Sequence, residues 1–229
     1  MSLAAVQQLV DDLVRDSDQV ISSTQRDDAI ANALARYSVD APRRVIEDVS
    51  VAGDGSLPLP DAWTMGASRL VSAEYPIGRR PIAFIPPELL DVRATPSGED
   101  ILLLAELPAG DAVRLTYSAL HVLDAGTDTV PVAHRRALAA LAASDLCGQL
   151  AAQYSSEGAP TISADTVDHQ GKSGRWRQRQ RDLAADYAKV VAPAPNDRAK
   201  PAYAETVLPS RNALGGRRLF HPPSEWPRS

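Results

Sequence analysis

The chain has 229 residues, 44% hydrophobic, 23% charged and 5% aromatic, a balance that fits a globular protein able to bury a core. It contains no run of about 18 apolar residues, and Asp11, Asp12, Asp16 and Asp18 interrupt the first helical stretch, so neither a membrane span nor a secretory leader is expected and the protein belongs in a cytosol. The net charge of −5 hides a split: residues 1–170 carry 12 Lys/Arg against 24 Asp/Glu, and residues 171–229 carry 12 against 5. A basic last quarter on an acidic body suggests contact with an acidic surface, on nucleic acid, another protein or a neighbouring copy.

Ser2 is placed to cap a helix over residues 3–15, where Leu3, Val6, Val10, Leu13 and Val14 recur at helical spacing. Thr24 and Asp27 resemble a weak capping box for a second helix. Its apolar face holds Ile30, Ala33, Leu34 and Tyr37, and Pro42 forbids its continuation, so the two helices should form a hairpin over residues 1–42. From residue 43 to 124 the period changes to two. Strands are expected at residues 45–51, 70–75, 89–93, 101–105 and 113–117, separated by turn signals such as Gly53-Asp54-Gly55, Pro86-Pro87 and Ser97-Gly98. Strand follows strand with no helix between, which implies an antiparallel sheet or sandwich.

Helical spacing returns after Pro131. Leu138, Leu141, Leu146, Leu150 and Tyr154 lie in an alanine-rich run, and after a loop at 157–168 a fourth helix is expected over 174–191 with Trp176, Leu183, Tyr187 and Val190 inward. Lys172, Arg175, Arg177, Arg179 and Arg181 surround its expected start, where cations oppose the macrodipole, so a partner explains them better than helix stability does. Residues 125–192 would thus complete the bundle. Residues 193–229 form a tail of 37 residues with seven prolines and scattered apolar residues, among them Tyr203, Leu208, Leu219, Phe220 and Trp226, beside the basic Arg217 and Arg218. Ordering such a backbone costs on the order of 1 kcal/mol per residue, whereas each large side chain returns only about 2–3 kcal/mol, so the tail should not order alone. The expected fold is therefore α+β: a bundle of about four helices, an inserted antiparallel β domain and an extended docking tail.

Few residues suggest chemistry. His121, His134, His169 and His221 lack zinc-ligand spacing. Gly171-Lys172-Ser173 imitates the end of a phosphate-binding loop, but Thr166 stands where that motif needs glycine, so it reads as a helix-entry loop. Asp165 and Asp168 beside His169 are ordinary loop residues. Tyr117 and His121 read as a packed ring and a hydrogen-bonded histidine, Trp63 as a core or subunit-contact residue, and Cys147, the single cysteine, as a buried inert thiol. No catalytic, metal-binding or cofactor-binding residue is expected. The candidate partner-binding residues are Arg175, Trp176, Arg177, Arg179, Arg181, Tyr203, Leu208, Arg217, Arg218, Leu219, Phe220 and Trp226.

Several segments carry a resemblance: Ala33-Leu34-Ala35-Arg36-Tyr37-Ser38 with Pro42, Leu59-Pro60-Asp61-Ala62-Trp63, Ser72-Ala73-Glu74-Tyr75-Pro76, Leu115-Thr116-Tyr117-Ser118-Ala119-Leu120-His121, residues 137–154 and Ile162-Ser163-Ala164-Asp165. Over roughly residues 28–190 the chain resembles the head–tail adaptor, or connector, proteins of tailed bacteriophages. That resemblance implies a non-enzymatic virion protein of the neck, assembled in the host cytoplasm as a homo-oligomeric ring, commonly a dodecamer. Such a ring docks beneath the portal protein, meets the next neck or tail protein, and lets DNA pass through its lumen without sequence-specific binding or any membrane contact. Another neck component, such as a stopper or tail-completion protein, is the alternative in the same class. A nucleic-acid-binding module using the basic last quarter, with Trp176 as a stacking platform, is the alternative in another.

Overall fold

The computed structural model describes residues 3–53, 55–96, 98–156 and 169–191, all within a compact unit spanning Met1–Pro193. The side chains of His169 and Gln170 lie outside that description, as do Ser2, Asp165, Asp168 and the tail candidates Tyr203, Leu208, Arg217, Arg218, Leu219, Phe220 and Trp226. The fold is α+β, four helices with small antiparallel sheets inserted after the second.

Helix α1, Leu3–Val14, buries Val6, Val10 and Val14, a four-residue spacing that holds one stripe against the helical core. Helix α2, Ser23–Asp40, is capped by Ser22, two residues before the expected Thr24. Ser22 accepts from the Gln25 amide, and the Gln25 side chain accepts in return from the Ser22 amide at 2.9 Å. This closed capping box replaces the Thr24 and Asp27 pair, and removing such a cap typically costs about 1 kcal/mol. After Asp40 the Ala41 amide still donates to the Tyr37 carbonyl, and Pro42 turns the chain into the sheets.

Six strands follow: β1 (Arg43–Ser50), β2 (Ser56–Leu57), β3 (Arg69–Glu74), β4 (Leu90–Thr95), β5 (Gly98–Leu103) and β6 (Ala112–Ala119). They form two three-stranded sheets of order β1-β6-β3 and β2-β5-β4, antiparallel throughout. The first and last strands are the longest and pair in full, from Arg43 opposite Ala119 to Ser50 opposite Ala112, so the insert leaves and re-enters the helical part side by side. Alternate residues Val113, Leu115, Tyr117 and Ala119 of β6 point inward. There they meet Ala73 of β3 and, from the other sheet, Leu57, Ile101 and Leu103.

Helix α3, Arg135–Ser156, packs against all three other helices. Ala139, Ala142, Ala143 and Cys147 are fully buried between Leu138, Leu146 and Leu150, so small side chains let the helices approach where the leucines fill the space between them. Helix α4, His169–Val191, starts five residues before the expected point, so Gly171-Lys172-Ser173 is helical rather than an entry loop. Leu183 and Tyr187 are buried as expected, whereas Val190 is 43% exposed.

The helical and β cores meet at a polar joint. Ser38 Oγ accepts from the buried His121 amide at 3.0 Å, and the His121 ring nitrogens lie 2.9 Å from the Ala41 carbonyl and 3.0 Å from that of Thr129. Tyr37 packs its ring on His121 and places its hydroxyl 2.7 Å from His134 Nδ1. The expected hydrogen-bonded histidine is thus the tie between the end of α2, the exit from β6 and the entrance to α3.

Candidate functional site

Helix α4 carries the basic cluster, and the structure divides it into two faces. Lys172, Arg175 and Arg179 share one side by their three- and four-residue spacing. Lys172 Nζ lies 2.8 Å from an Asp18 oxygen, which also accepts from the Tyr154 hydroxyl at 3.0 Å. Arg179 donates through Nε at 3.0 Å to the Leu13 carbonyl, in the last turn of α1. A guanidinium there complements the negative end of the α1 dipole and satisfies a carbonyl that has no partner within its own helix. Part of the cluster therefore clasps α4 to α1. The early start of α4 also places Arg175, Arg177, Arg179 and Arg181 beyond its first turn, which removes most of the expected conflict with the macrodipole.

The clasp makes stability depend on acid. Hydrogen bonds from Lys172 and Tyr154, with the Lys172 charge, hold the Asp18 carboxyl below the ordinary aspartate value of 3.8. A lowered folded-state value means that this contribution is complete above the unfolded value and fades as pH falls through the folded one. Asp18→Asn should therefore lower the melting temperature slightly at neutral pH and flatten the loss of stability below pH 3.8; both effects should shrink in high salt because the pair is exposed. Thermal melts across pH for the two proteins check this.

The second face is open. Arg177 and Arg181 stand one turn apart and exposed, and Arg175 is exposed at the border of the clasp. Trp176 is partly buried against the helical core, so its ring is already occupied. Of the candidates on α4, then, Arg175, Arg177 and Arg181 present charge outward, whereas Arg179 and Trp176 turn inward. Sequence spacing alone could have separated Arg177 and Arg181 from the others, but not shown which face met α1.

Other polar groups are committed to structure. Tyr117 donates to Glu47 at 2.9 Å, Glu47 accepts from the Asp61 amide, and Trp63 donates to Glu99 at 2.8 Å, so two carboxylates staple the 58–68 connection across the β core. Burial first, then the Glu47 carboxylate, pushes the Tyr117 hydroxyl up to about 12. Burial likewise raises the Cys147 thiol to about 11, an inert state that fits its place in α3. A concavity of about 670 Å³ between the end of α1 and the start of α2 holds Asp11 and Arg26, but these pair with each other at 2.8 Å. Among the described residues, no group of His, Cys, Asp and Glu is arranged to hold a metal ion, and no helix is long and apolar enough to cross a membrane. No family model and no curated protein matches the chain.

Proposed function

We propose that this chain is a structural subunit of a phage neck ring, the head–tail adaptor beneath the portal. The observation that carries the reading is the arrangement of α4: a solvent-facing arginine pair on a bundle whose α1, α2 and the turn between them carry Asp11, Asp12, Asp16, Asp27 and Asp28. In a ring of identical copies, one subunit's basic face meets the next subunit's acidic face, a heterologous contact that closes on itself. The β insert joined through two paired strands then stands as a separate contact surface for the portal or the next neck protein, and the proline-rich residues 193–229 supply an arm. A ring whose subunits are acidic overall would let DNA pass without gripping it. The packing of Trp176 on the helical core argues against a strand-binding module that needs an open stacking platform.

Charge reversal tests this reading. Arg177→Glu with Arg181→Glu should leave the fold intact and weaken ring assembly on portal-bearing heads at least about tenfold, equivalent to ~1.4 kcal/mol. Particles are scored by electron microscopy. Unchanged assembly, or instead the loss of a submicromolar, steeply salt-dependent DNA affinity, would favour the nucleic-acid module.

A further inference from the structure

Among the described residues, the β unit is open along one side. Two strand edges, β3 near Ser68–Ser72 and β4 near Leu90–Val92, border a groove of about 420 Å³. Residues 83–85 pair with the far half of β3, through Tyr75 N to the Ala83 carbonyl at 3.0 Å and Ile85 N to the Ala73 carbonyl at 2.8 Å. Pro86 and Pro87 then end that pairing. The groove begins where this short pairing stops. Val71, Phe84 and Val92 line it at 50%, 59% and 37% exposure, and its lining holds one charged residue, Arg69. Nearby Ile82 and Leu104 are each 57% exposed. An unpaired edge with exposed apolar side chains is a template for strand addition, and β4 has no residue classed as buried.

The chain itself carries a segment whose sequence suits strand addition. Within residues 193–229, the stretch Ala202-Tyr203-Ala204-Glu205-Thr206-Val207-Leu208 is bounded by Pro201 and Pro209 and contains no proline. Tyr203, Thr206 and Val207 favour extended backbone, and in an extended conformation Ala204, Thr206 and Leu208 would alternate onto one uncharged face. The flanking prolines limit it to the length of a short edge strand. Beyond Val191 the chain needs eleven residues to reach Ala202, a span of up to about 40 Å. The helix end from which it departs lies beside the β unit, because Tyr187 donates to Asp40 at 2.7 Å and Asp40 is three residues from β1.

We propose that residues 202–208 of one copy add as a strand to the groove between β3 and β4 of a second copy. The groove and the segment stand on their own features; the choice of a second copy over the same chain rests on the ring reading. Backbone pairing to an open edge supplies register-independent attachment, and Leu208 among Val71, Phe84 and Val92 supplies the side-chain fit.

Complementation of full-length variants tests it. Leu208→Asp disables the arm and Phe84→Asp the groove; Phe84 is 59% exposed, so for that variant circular dichroism and melting should be unchanged, and the same measurements on Leu208→Asp show whether its body keeps the fold. By sedimentation, each variant alone should lose at least tenfold in self-association. Their equimolar mixture should regain a dimer, because one intact arm meets one intact groove. In a Cys147→Ala background, cysteines placed at Leu208 and Val92 should give disulfides between differently isotope-labelled copies. Cross-links confined within one copy, self-association insensitive to Leu208→Asp, or a wild-type chain that stays monomeric without cross-linking would each overturn the proposal. Cross-linked copies that never form rings would leave the docking intact and defeat the ring reading, and rings without the cross-link would do the reverse.

Discussion

Replacing Leu146 by alanine should lower the unfolding free energy by about 2–5 kcal/mol, toward the upper part of that range. Leu146 is 1% exposed on α3, the helix that touches all three others, and Ala142, Ala143 and Cys147 surround it on its own helix. Alanines have no side chain that can swing into a vacated volume, so a cavity left there stays open. Against an ordinary total of about 5–15 kcal/mol, such a loss would place the variant near the edge of stability. Leu141, only partly buried, should cost clearly less when truncated. The opposite change, Ala142→Leu, should also destabilise, by about 1–3 kcal/mol, because the close approach of the helices leaves no room for the added atoms. Urea unfolding with an unchanged slope would measure all three, and a Leu146→Ala loss below about 1 kcal/mol would show that α3 is not the packing centre.

The residues that announce this architecture in the sequence are those with a strong period. Val6, Val10 and Val14 on α1, the alanines and leucines of α3 and the alternation of β6 each follow from one-sided burial, and each element lies close to its expected position. Where local signals are weak, the structure departs from the expectation. Strand β2 has two residues and therefore no alternation to detect. The cap of α2 went to Ser22 because glutamine at its third helical position reaches back to the cap amide, a reciprocal bond that the Thr24 and Asp27 reading did not weigh. Helix α4 begins in a polar, glycine-containing stretch without apolar periodicity, and its start therefore looked like a loop. The candidate surface was harder still. Residue type marked the arginines of α4 as a group, but the destination of Arg179, a carbonyl 166 positions earlier in the chain, is a tertiary fact that no spacing encodes.

Removing residues 193–229 should leave the body folded and reduce its attachment to portal-bearing heads at least about a hundredfold, ~2.7 kcal/mol. Among the described residues, both hydrophobic cores are built from the helices, the sheets and their connections, so cooperative unfolding of the truncated chain should match that of the full one. The loss of attachment follows from composition. Seven prolines restrict the backbone before docking and so reduce the entropy lost on binding, while Tyr203, Leu208, Leu219, Phe220 and Trp226 are spaced widely enough to enter separate pockets. Arg198, Lys200, Arg211, Arg217 and Arg218 give the arm a charge that steers it to acidic surface. In the proposed ring every copy would repeat the attachment, so a weak single arm would become a firm one through multivalency and its removal would be felt in all copies at once. A shorter deletion of residues 210–229 separates two roles. It keeps residues 202–208, proposed to dock on a neighbouring copy, and removes Leu219, Phe220 and Trp226, so copies should still associate while attachment to the portal falls. Full attachment by the chain lacking residues 193–229 would rule the arm out as the portal contact, and a portal defect confined to that longer deletion would assign the contact to residues 193–209.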